Sequence, residues 1–172
     1  MNKLTSIFGA TLIAFSLNVF ADDAPAMGTE AEAQAMSESA AELVNKDGEA
    51  AFDTFGKEGD FQQKDLYVFC MDMEGKMLSH PKKPELVGQN LRDFDKYGDK
   101  LFDNMIKLAE TDGKGWVAYN WPYPGTEDLK EKKSYIIKND KGFFCGVGAY
   151  AADSAAAPAD GAAPAAPPAA GQ

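Results

Sequence analysis

The stretch that decides the fold is GWVAYNWPYPG at residues 115–125, together with KKSYIIKN at 132–139 and KGFFCGVGAY at 141–150. In each run bulky aromatic residues alternate with small or polar ones. Such alternation is typical of β-strands, because successive side chains of a strand point to opposite faces of its sheet. One face carries side chains with polar tips, where an ordinary core would carry Val, Ile and Leu. The pattern therefore predicts three consecutive strands and a sheet face that binds a small molecule.

A β-hairpin is predicted earlier in the chain. Residues 65–71 read DLYVFCM, which is dense in strand-favouring residues, and residues 76–80 read KMLSH. The turn sequence Met-Glu-Gly at 73–75 separates these two runs, as is typical of a hairpin. Pro81 and Pro84 follow the second run and end it, because proline cannot donate a backbone hydrogen bond to a sheet.

Two helices are predicted from apolar residues that recur every three or four positions. The first begins at Thr29 and Glu32, whose spacing fits a capping box, and the second lies near residues 99–110. Short links between sequential strands favour an antiparallel sheet. We therefore predict an α+β fold, with the long N-terminal helix on one face of the sheet and the central loop and helix over the other. The apolar residues of the first helix are Ala33, Met36, Ala40, Leu43 and Val44.

The two ends of the chain differ in composition from this folded part. Residues 1–21 carry one early cation and an apolar stretch that ends at Ala21, the pattern of a secretory signal peptide cleaved after Ala21. A membrane anchor is the alternative, disfavoured because the apolar stretch is short and has no cationic flank on its far side. Residues 22–28 form a short leader, and the Ala- and Pro-rich residues 151–172 are predicted to be a disordered tail. We therefore expect one domain at 29–150, located in the periplasm or secreted.

The charge of the protein argues against one class of partner. The chain has 17 lysines and arginines against 27 acidic residues, a net charge of −10. Nucleic acid is disfavoured as a partner, because domains that bind it concentrate positive charge. A single lysine can still govern a small pocket, since salt screens more distant charges beyond roughly 8 Å.

Several stretches resemble the single Cache domain family, whose members are PAS-like extracytoplasmic sensor modules of bacterial chemoreceptors and histidine kinases. They are DLYVFCMDMEGKMLSHP at 65–81, ELVGQNLRDFDKYG at 85–98 and the strand runs between 113 and 150, in the family's order and at compatible spacing. The resemblance covers roughly residues 33–150. It implies an antiparallel sheet of five or six strands, a long N-terminal helix, and a pocket between the sheet and its central loops.

The resemblance also implies a function. Family members with known ligands often take small organic acids such as acetate, propionate, pyruvate or lactate. The receptors usually continue from the last strand into a transmembrane helix and a signalling region, whereas this chain continues into Ala/Pro sequence. We therefore expect a free-standing sensing module that acts in signal transduction, such as chemotaxis, through a membrane receptor or histidine kinase. A homodimer through the N-terminal helix is expected by analogy with the receptors.

Four side chains form the predicted ligand pocket. Lys133 and Tyr135 alternate along one strand, Tyr119 and Trp121 alternate along the preceding strand, and pairing of the two strands would bring all four together. An ammonium group would attract a short carboxylate, hydroxyl groups would orient it, and the rings would cover its alkyl part. The alternative for Lys133 is a solvent-exposed side chain, because it lies in the charged run at 130–133.

His80 and Arg92 are further candidate ligand-binding residues, and each is the single residue of its type in the chain. His80 lies at the end of the second strand, where its imidazole could donate to a bound acid or hold the adjacent loop. Arg92 could bind a carboxylate with two donors of its guanidinium group. Of the two proposed cations, Lys133 is preferred over Arg92.

Cys70 and Cys145 lie in the first and last of the predicted strands, which are neighbours in a Cache domain. A disulfide is one interpretation, because the expected compartment is oxidising. Two small buried side chains are the other, because the geometry of a disulfide is demanding.

The sequence predicts no metal site, no cofactor and no catalytic activity. Residues 93–98 begin like a calcium-binding loop, but the required oxygen ligand and bidentate glutamate are missing. A zinc site is disfavoured by the single histidine, and no nucleophile stands in an evident pair with a base. Two hypotheses remain. The protein is a binding module for a small carboxylate, or a structural or protein-interaction module whose pocket is filled by its own side chains.

Overall fold

The computed structural model describes residues 27–151. The helices are α1 (Glu30–Asp47), α2 (Phe52–Phe55) and α3 (Leu101–Thr111), with short 3-10 helices at Gly48–Ala51 and Pro84–Leu86. The strands are β1 (Gln62–Gln63), β2 (Leu66–Asp72), β3 (Met77–Ser79), β4 (Lys114–Pro122), β5 (Leu129–Lys138) and β6 (Phe143–Tyr150). The predicted signal peptide at 1–21, residues 22–26 of the predicted leader, and residues 152–172 of the predicted tail lie outside the described residues.

The strands form one antiparallel sheet. Strands β2, β6, β5 and β4 are neighbours in that order, and β1 and β3 each pair with β2. The predicted α+β fold, with a long N-terminal helix and an antiparallel sheet, is therefore confirmed, and the sheet has six strands. The short strand β1 is an addition to the prediction, because its residues Gln62 and Gln63 are not strand-favouring types.

Helix α1 begins at the predicted capping box. The Thr29 hydroxyl accepts a hydrogen bond from the Glu32 backbone N–H, and the Glu32 carboxylate accepts one from the Thr29 backbone N–H. The helix then packs across β5 and β6. Its buried residues are Ala33, Met36, Ser37, Ala40, Ala41 and Val44. The predicted helical spacing therefore identifies the face of α1 that meets the sheet, except that Leu43 is only half-buried.

The sheet separates two apolar cores. On one side α1 and α2 cover alternate residues of β2 and β6, such as Val68 and Val147. On the other side α3 and the central loop before it (residues 80–100) cover the intervening residues, such as Phe69 and Phe144. This is the predicted arrangement of one helix on one face and the central loop and helix on the other. The cavity described below lies on the α3 side.

A disulfide joins Cys70 of β2 to Cys145 of β6, with a distance of 2.04 Å between the sulfurs. The two residues are directly opposite each other in the register of the strands. Both are buried in the core beneath α1. Of the two interpretations of these cysteines, the structure shows the disulfide.

Candidate functional site

The register of β4 and β5 decides which side chains share a face of the sheet. Tyr119 lies directly opposite Lys132, and Trp121 lies opposite Lys130. Directly opposite residues of an antiparallel pair project to the same face, and their chain neighbours project to the other. Lys132 therefore shares the α3 side of the sheet with Tyr119 and Trp121, whereas Lys133 and Tyr135 lie on the α1 side.

This register corrects the predicted placement of Lys133. Its Nζ lies 2.9 Å from the Glu30 Oε1, at the start of α1, and 45 % of its side chain is exposed. Tyr135 is buried on the same side, with its ring 5.1 Å from that of Trp116. Lys133 lines an open groove of about 350 Å³ beside Met27 and Tyr150, away from Tyr119 and Trp121. The four residues of the predicted pocket do not come together, because Tyr119 and Trp121 lie on one face of the sheet and the two residues of β5 on the other.

The neighbouring residue, Lys132, is the one buried lysine among residues 27–151. Only 1 % of its surface is exposed, and its Nζ lies 3.9 Å from the centre of the Tyr67 ring and 4.6 Å from that of Tyr150. The Nζ also donates a long hydrogen bond of 3.5 Å to the Tyr150 hydroxyl. Among residues 27–151, no carboxylate forms an ion pair with it. A fully buried lysine without an ion pair is unusual, because desolvation of an ammonium group is costly.

This burial alters the protonation of Lys132. Desolvation lowers the pKa of its amine from 10.5 to about 7, while the charge of Asp65 acts in the opposite direction. The carboxylate of Asp65 is itself buried, and its Oδ1 accepts a hydrogen bond of 2.6 Å from the Gly28 N–H. Its Oδ2 has no hydrogen-bond partner within the described part of the chain. The amine of Lys132 therefore gives up its proton much more readily than an exposed lysine does.

Two glycines of β6 make room for large side chains of β5, and one of them, Gly148, makes room for Lys132. Gly148 lies directly opposite Ser134, and a Cβ at Gly148 would overlap Lys132 Cε and Ser134 Oγ. A Cβ at Gly146 would lie 2.8 Å from Ile136 Cγ2. Gly148 is thus the sequence signal that points to Lys132, because a large inward side chain needs a neighbour without a side chain.

His80 lies on the same side of the sheet as Lys132 and is almost fully buried. Its ring is 5.1 Å from that of Tyr67 and 6.0 Å from that of Trp121, measured between centres. Its Nδ1 accepts a hydrogen bond of 3.0 Å from the Lys83 N–H, so the neutral imidazole carries its proton on Nε2. Burial, reinforced by the charge of Lys132, lowers the pKa of His80 to about 3. His80 is therefore a neutral hydrogen-bond donor at physiological pH.

A small cavity lies between these side chains. Its walls are Tyr67, Phe69, His80, Phe102, Tyr119 and Trp121. The volume that the centre of a water molecule can reach is about 10 Å³, enough for one water molecule. The Tyr119 hydroxyl at its edge shares a hydrogen bond of 2.7 Å with Ser134 Oγ. Lys132 stands directly behind the wall that Tyr67 forms.

Three of the predicted ligand-binding residues therefore lie together, and Arg92 does not join them. Tyr119, Trp121 and His80 all line the cavity. The Arg92 Nε donates to Asp103 Oδ1 at 3.1 Å and its Nη1 to the Met73 carbonyl at 3.4 Å, which ties the central loop to α3. The residues of this site that sequence reasoning missed are Lys132, Asp65, Tyr67, Phe69, Phe102 and Tyr150.

Larger grooves occur elsewhere on the surface, but they are less suited to a small charged ligand. One groove of about 430 Å³ lies between α1 and β1 and includes Glu32 and Lys64. These two side chains already form an ion pair with each other, at 2.6 Å. The small cavity near Lys132 is therefore the candidate site, because a buried charge without an ion pair lies beside it.

Comparison with known proteins gives a consistent picture. Residues 26–162 match the family model described as Single Cache domain 2. The chain is 38 % identical over 93 residues to the methyl-accepting chemotaxis protein McpP of Pseudomonas putida, covering 52 % of this chain and 17 % of McpP. It is 34 % identical over 92 residues to the sensor histidine kinase MctS of Rhizobium johnstonii, covering 52 % of this chain and 20 % of MctS. The chain thus spans about a fifth of the length of these curated relatives.

A solved structure provides a second kind of comparison. A Cache chemosensory domain, studied for the structural basis of its carboxylic acid recognition, superposes with a TM-score of 0.56. It is 27 % identical to this chain, and the match covers 69 % of this chain and 85 % of that domain. Across residues 27–151, none of the helices combines the length and the apolar character needed to cross a lipid bilayer.

Proposed function

This chain belongs to the single Cache domain 2 family, and on that premise we propose that it is an extracytoplasmic sensor domain that binds a small monocarboxylic acid beside Lys132. The observation that carries this proposal is the buried amine of Lys132, which has no ion-pair partner in residues 27–151. A carboxylate next to that amine would offset much of the cost of burying it. The carboxylic acid recognition of the related Cache domain supports the same ligand class.

The neighbouring groups suit the rest of such a ligand. The ammonium group of Lys132 supplies the charge, and the Nε2–H of His80 and the hydroxyl of Tyr119 supply directed hydrogen bonds. The rings of Trp121 and Phe102 would cover a short alkyl chain. Acetate, propionate, pyruvate and lactate all have this form. An acid of four to six heavy atoms gains at most roughly −6 to −9 kcal/mol, so we expect micromolar to millimolar affinity.

The small size of the cavity implies that a side chain lining it moves when a ligand binds. Room for one water molecule is too little for an acid, so an aromatic side chain must shift as the ligand enters. The Trp121 ring packs 6.0 Å from Phe94, 5.4 Å from Tyr97 and 5.8 Å from Phe102, measured between ring centres. A shift of Trp121 would therefore disturb the central loop and α3, which gives ligand binding a structural consequence.

The partner proposed to read this change is a membrane receptor or a histidine kinase. The relatives McpP and MctS are proteins of these two kinds. A location outside the cytoplasm is proposed from the family and from the pattern of residues 1–21. Dimerisation through α1 stays a prediction, which sedimentation at high protein concentration would test.

Two adjacent lysines provide a matched test of the binding site. Isothermal titration with the four acids should detect at least one of them for the wild type, and Lys132→Met should weaken that binding at least about tenfold, because an ionic hydrogen bond is lost. Lys133→Met should leave the affinity unchanged, because its side chain lies on the other face of the sheet. If Lys133→Met abolishes binding while Lys132→Met does not, the site is in the groove beside Lys133.

A structural or protein-interaction module is the second candidate, and the small volume of the cavity favours it. In that case the side chains of Tyr67, Trp121 and Phe102 fill the pocket, and no acid enters. None of the four acids would then raise the melting temperature or change the tryptophan fluorescence of the wild type. A response to any one of them would reject this second candidate.

A further inference from the structure

We propose that the site takes up one proton together with its acid, that Lys132 holds this proton, and that the domain therefore reports acid and acidity jointly. The inference rests on the proposed function, because it concerns the same site. It goes beyond that function in naming a second, linked ligand, the proton.

The surroundings of the Lys132 amine, within residues 27–151, contain no ion-pair partner. The rings of Tyr67 on β2 and Tyr150 on β6 enclose it, and Tyr119 on β4 lies directly opposite in the register. His80 stands beyond the Tyr67 ring, and Asp65, just before β2, is the carboxylate that acts on the amine from outside ion-pair distance. An amine in such a place can stay protonated at low cost only when an anion arrives.

The tyrosines and the histidine around this amine do not change their protonation state near neutral pH. Burial raises the pKa values of Tyr67, Tyr119 and Tyr150, so these phenols stay neutral. Burial lowers the pKa of His80 to about 3, so its imidazole also stays neutral. Lys132, with a pKa of about 7, is left to change its charge between pH 6 and pH 8.

The direction of the linkage follows from these values. Below about pH 7 the amine of the free protein already holds its proton, so acid binding takes up none. Above that pH the free amine is neutral, and a bound carboxylate raises its pKa and draws a proton from solution. The apparent affinity is proportional to the fraction of the free protein that is protonated, and this fraction falls about tenfold for each pH unit above the pKa.

The wild-type protein is sufficient for the test. Acetate, propionate, pyruvate and lactate are titrated calorimetrically at pH 6 and pH 8, at each pH in two buffers of very different ionisation enthalpy. The observed binding enthalpy differs between the two buffers. This difference, divided by the difference between their ionisation enthalpies, gives the number of protons taken up per acid bound. We expect a number near zero at pH 6 and near one at pH 8, with a dissociation constant about tenfold weaker at pH 8.

Three other results have separate meanings. Binding with no proton uptake and an equal dissociation constant at both pH values would overturn the linkage and leave the proposed function standing. Uptake at pH 6 that vanishes at pH 8 would assign the proton to His80 and overturn the role of Lys132. No binding of any acid at either pH would remove the proposed function, and the linkage with it.

Discussion

At the scale of single residues, the buried amine of Lys132 lowers the stability of the fold and at the same time suits the binding of an anion. Its long side chain crosses from β5 to the rings of Tyr67 and Tyr150, where glycine at position 148 leaves space for it. Desolvation of the amine opposes folding, because the unfolded chain keeps the amine in water. A buried residue that destabilises the free protein, and whose charge is opposite to that of the proposed ligand, is typical of a binding site rather than of a core.

The first prediction at this scale is that Lys132→Met stabilises the protein without ligand. The folded-state pKa of about 7 lies below the unfolded value of 10.5, so the unfolded chain holds a proton that the folded protein releases between these values. The cost of burying the charged amine therefore lowers the free energy of unfolding of the wild type in full below pH 7. This free energy rises as the pH increases above 7, because the folded protein releases the proton. We expect Lys132→Met to raise the free energy of unfolding by about 1–4 kcal/mol at pH 6.

Urea denaturation at pH 6 and pH 9 measures this effect. The gain of Lys132→Met should shrink by up to about 1.4 kcal/mol per pH unit above pH 7. Lys133→Met is the control, and it should change stability by no more than about 0.5 kcal/mol at either pH, because its ion pair is exposed. A Lys132→Met protein that is less stable than the wild type at pH 6 would contradict the unfavourable burial of this amine.

At the scale of secondary-structure elements, Ser37 fastens α1 to the sheet. Its buried hydroxyl donates to the Tyr135 carbonyl at 2.8 Å and accepts from the Val147 N–H at 3.0 Å. Tyr135 and Val147 are directly opposite each other on β5 and β6. The side chain of a helix thus takes a place in the hydrogen bonding of the sheet, on the face opposite the cavity.

The corresponding prediction is that Ser37→Ala destabilises the protein by about 1–3 kcal/mol, because it removes two buried hydrogen bonds that tie α1 to β5 and β6. Ser39→Ala is the matched control on the same helix. Its hydroxyl bonds back to the Ala35 carbonyl on the exposed side, so its loss should be close to neutral. The measurement is the midpoint of urea denaturation, and equal midpoints for the two variants would show that the bridge contributes nothing.

At the scale of the whole molecule, the disulfide joins β2, near the start of the sheet in the sequence, to β6, its last strand. Cys70 and Cys145 are 75 residues apart in sequence, and the central loop, α3, β4 and β5 all lie between them. The crosslink restricts the unfolded chain much more than the folded one, because the two strands are neighbours in the fold in any case.

The prediction at this scale is that the double variant Cys70→Ala, Cys145→Ala loses up to about 4 kcal/mol of stability, as the closure entropy of so long a loop suggests. In the presence of a reducing agent, the free energy of unfolding of the wild type should approach that of the double variant. The reducing agent should have no effect on the double variant, which serves as the control. A double variant as stable as the oxidised wild type would show that the crosslink does not stabilise the fold.

Local sequence determined much of this protein by itself. The capping box of Thr29 and Glu32, the helical spacing of α1 and the alternation in β2, β4, β5 and β6 all act over a few neighbouring residues. The family and the α+β fold follow from these segments and their order. His80, Tyr119 and Trp121 could be found because His80 is the single histidine of the chain and the other two alternate along one strand.

Only the tertiary structure decided which of two adjacent lysines enters the interior. Strand β5 is covered on both faces, so Ser134, Tyr135 and Ile136 are all buried and the alternation has no polar side to mark its phase. The phase is set by the register of β5 with β4 and β6 and by the side of the sheet on which α1 packs. A shift of one residue exchanges the two faces of a strand, so Lys132 lies behind Tyr67 on the same side of the sheet as the cavity, while Lys133 meets Glu30 at the surface.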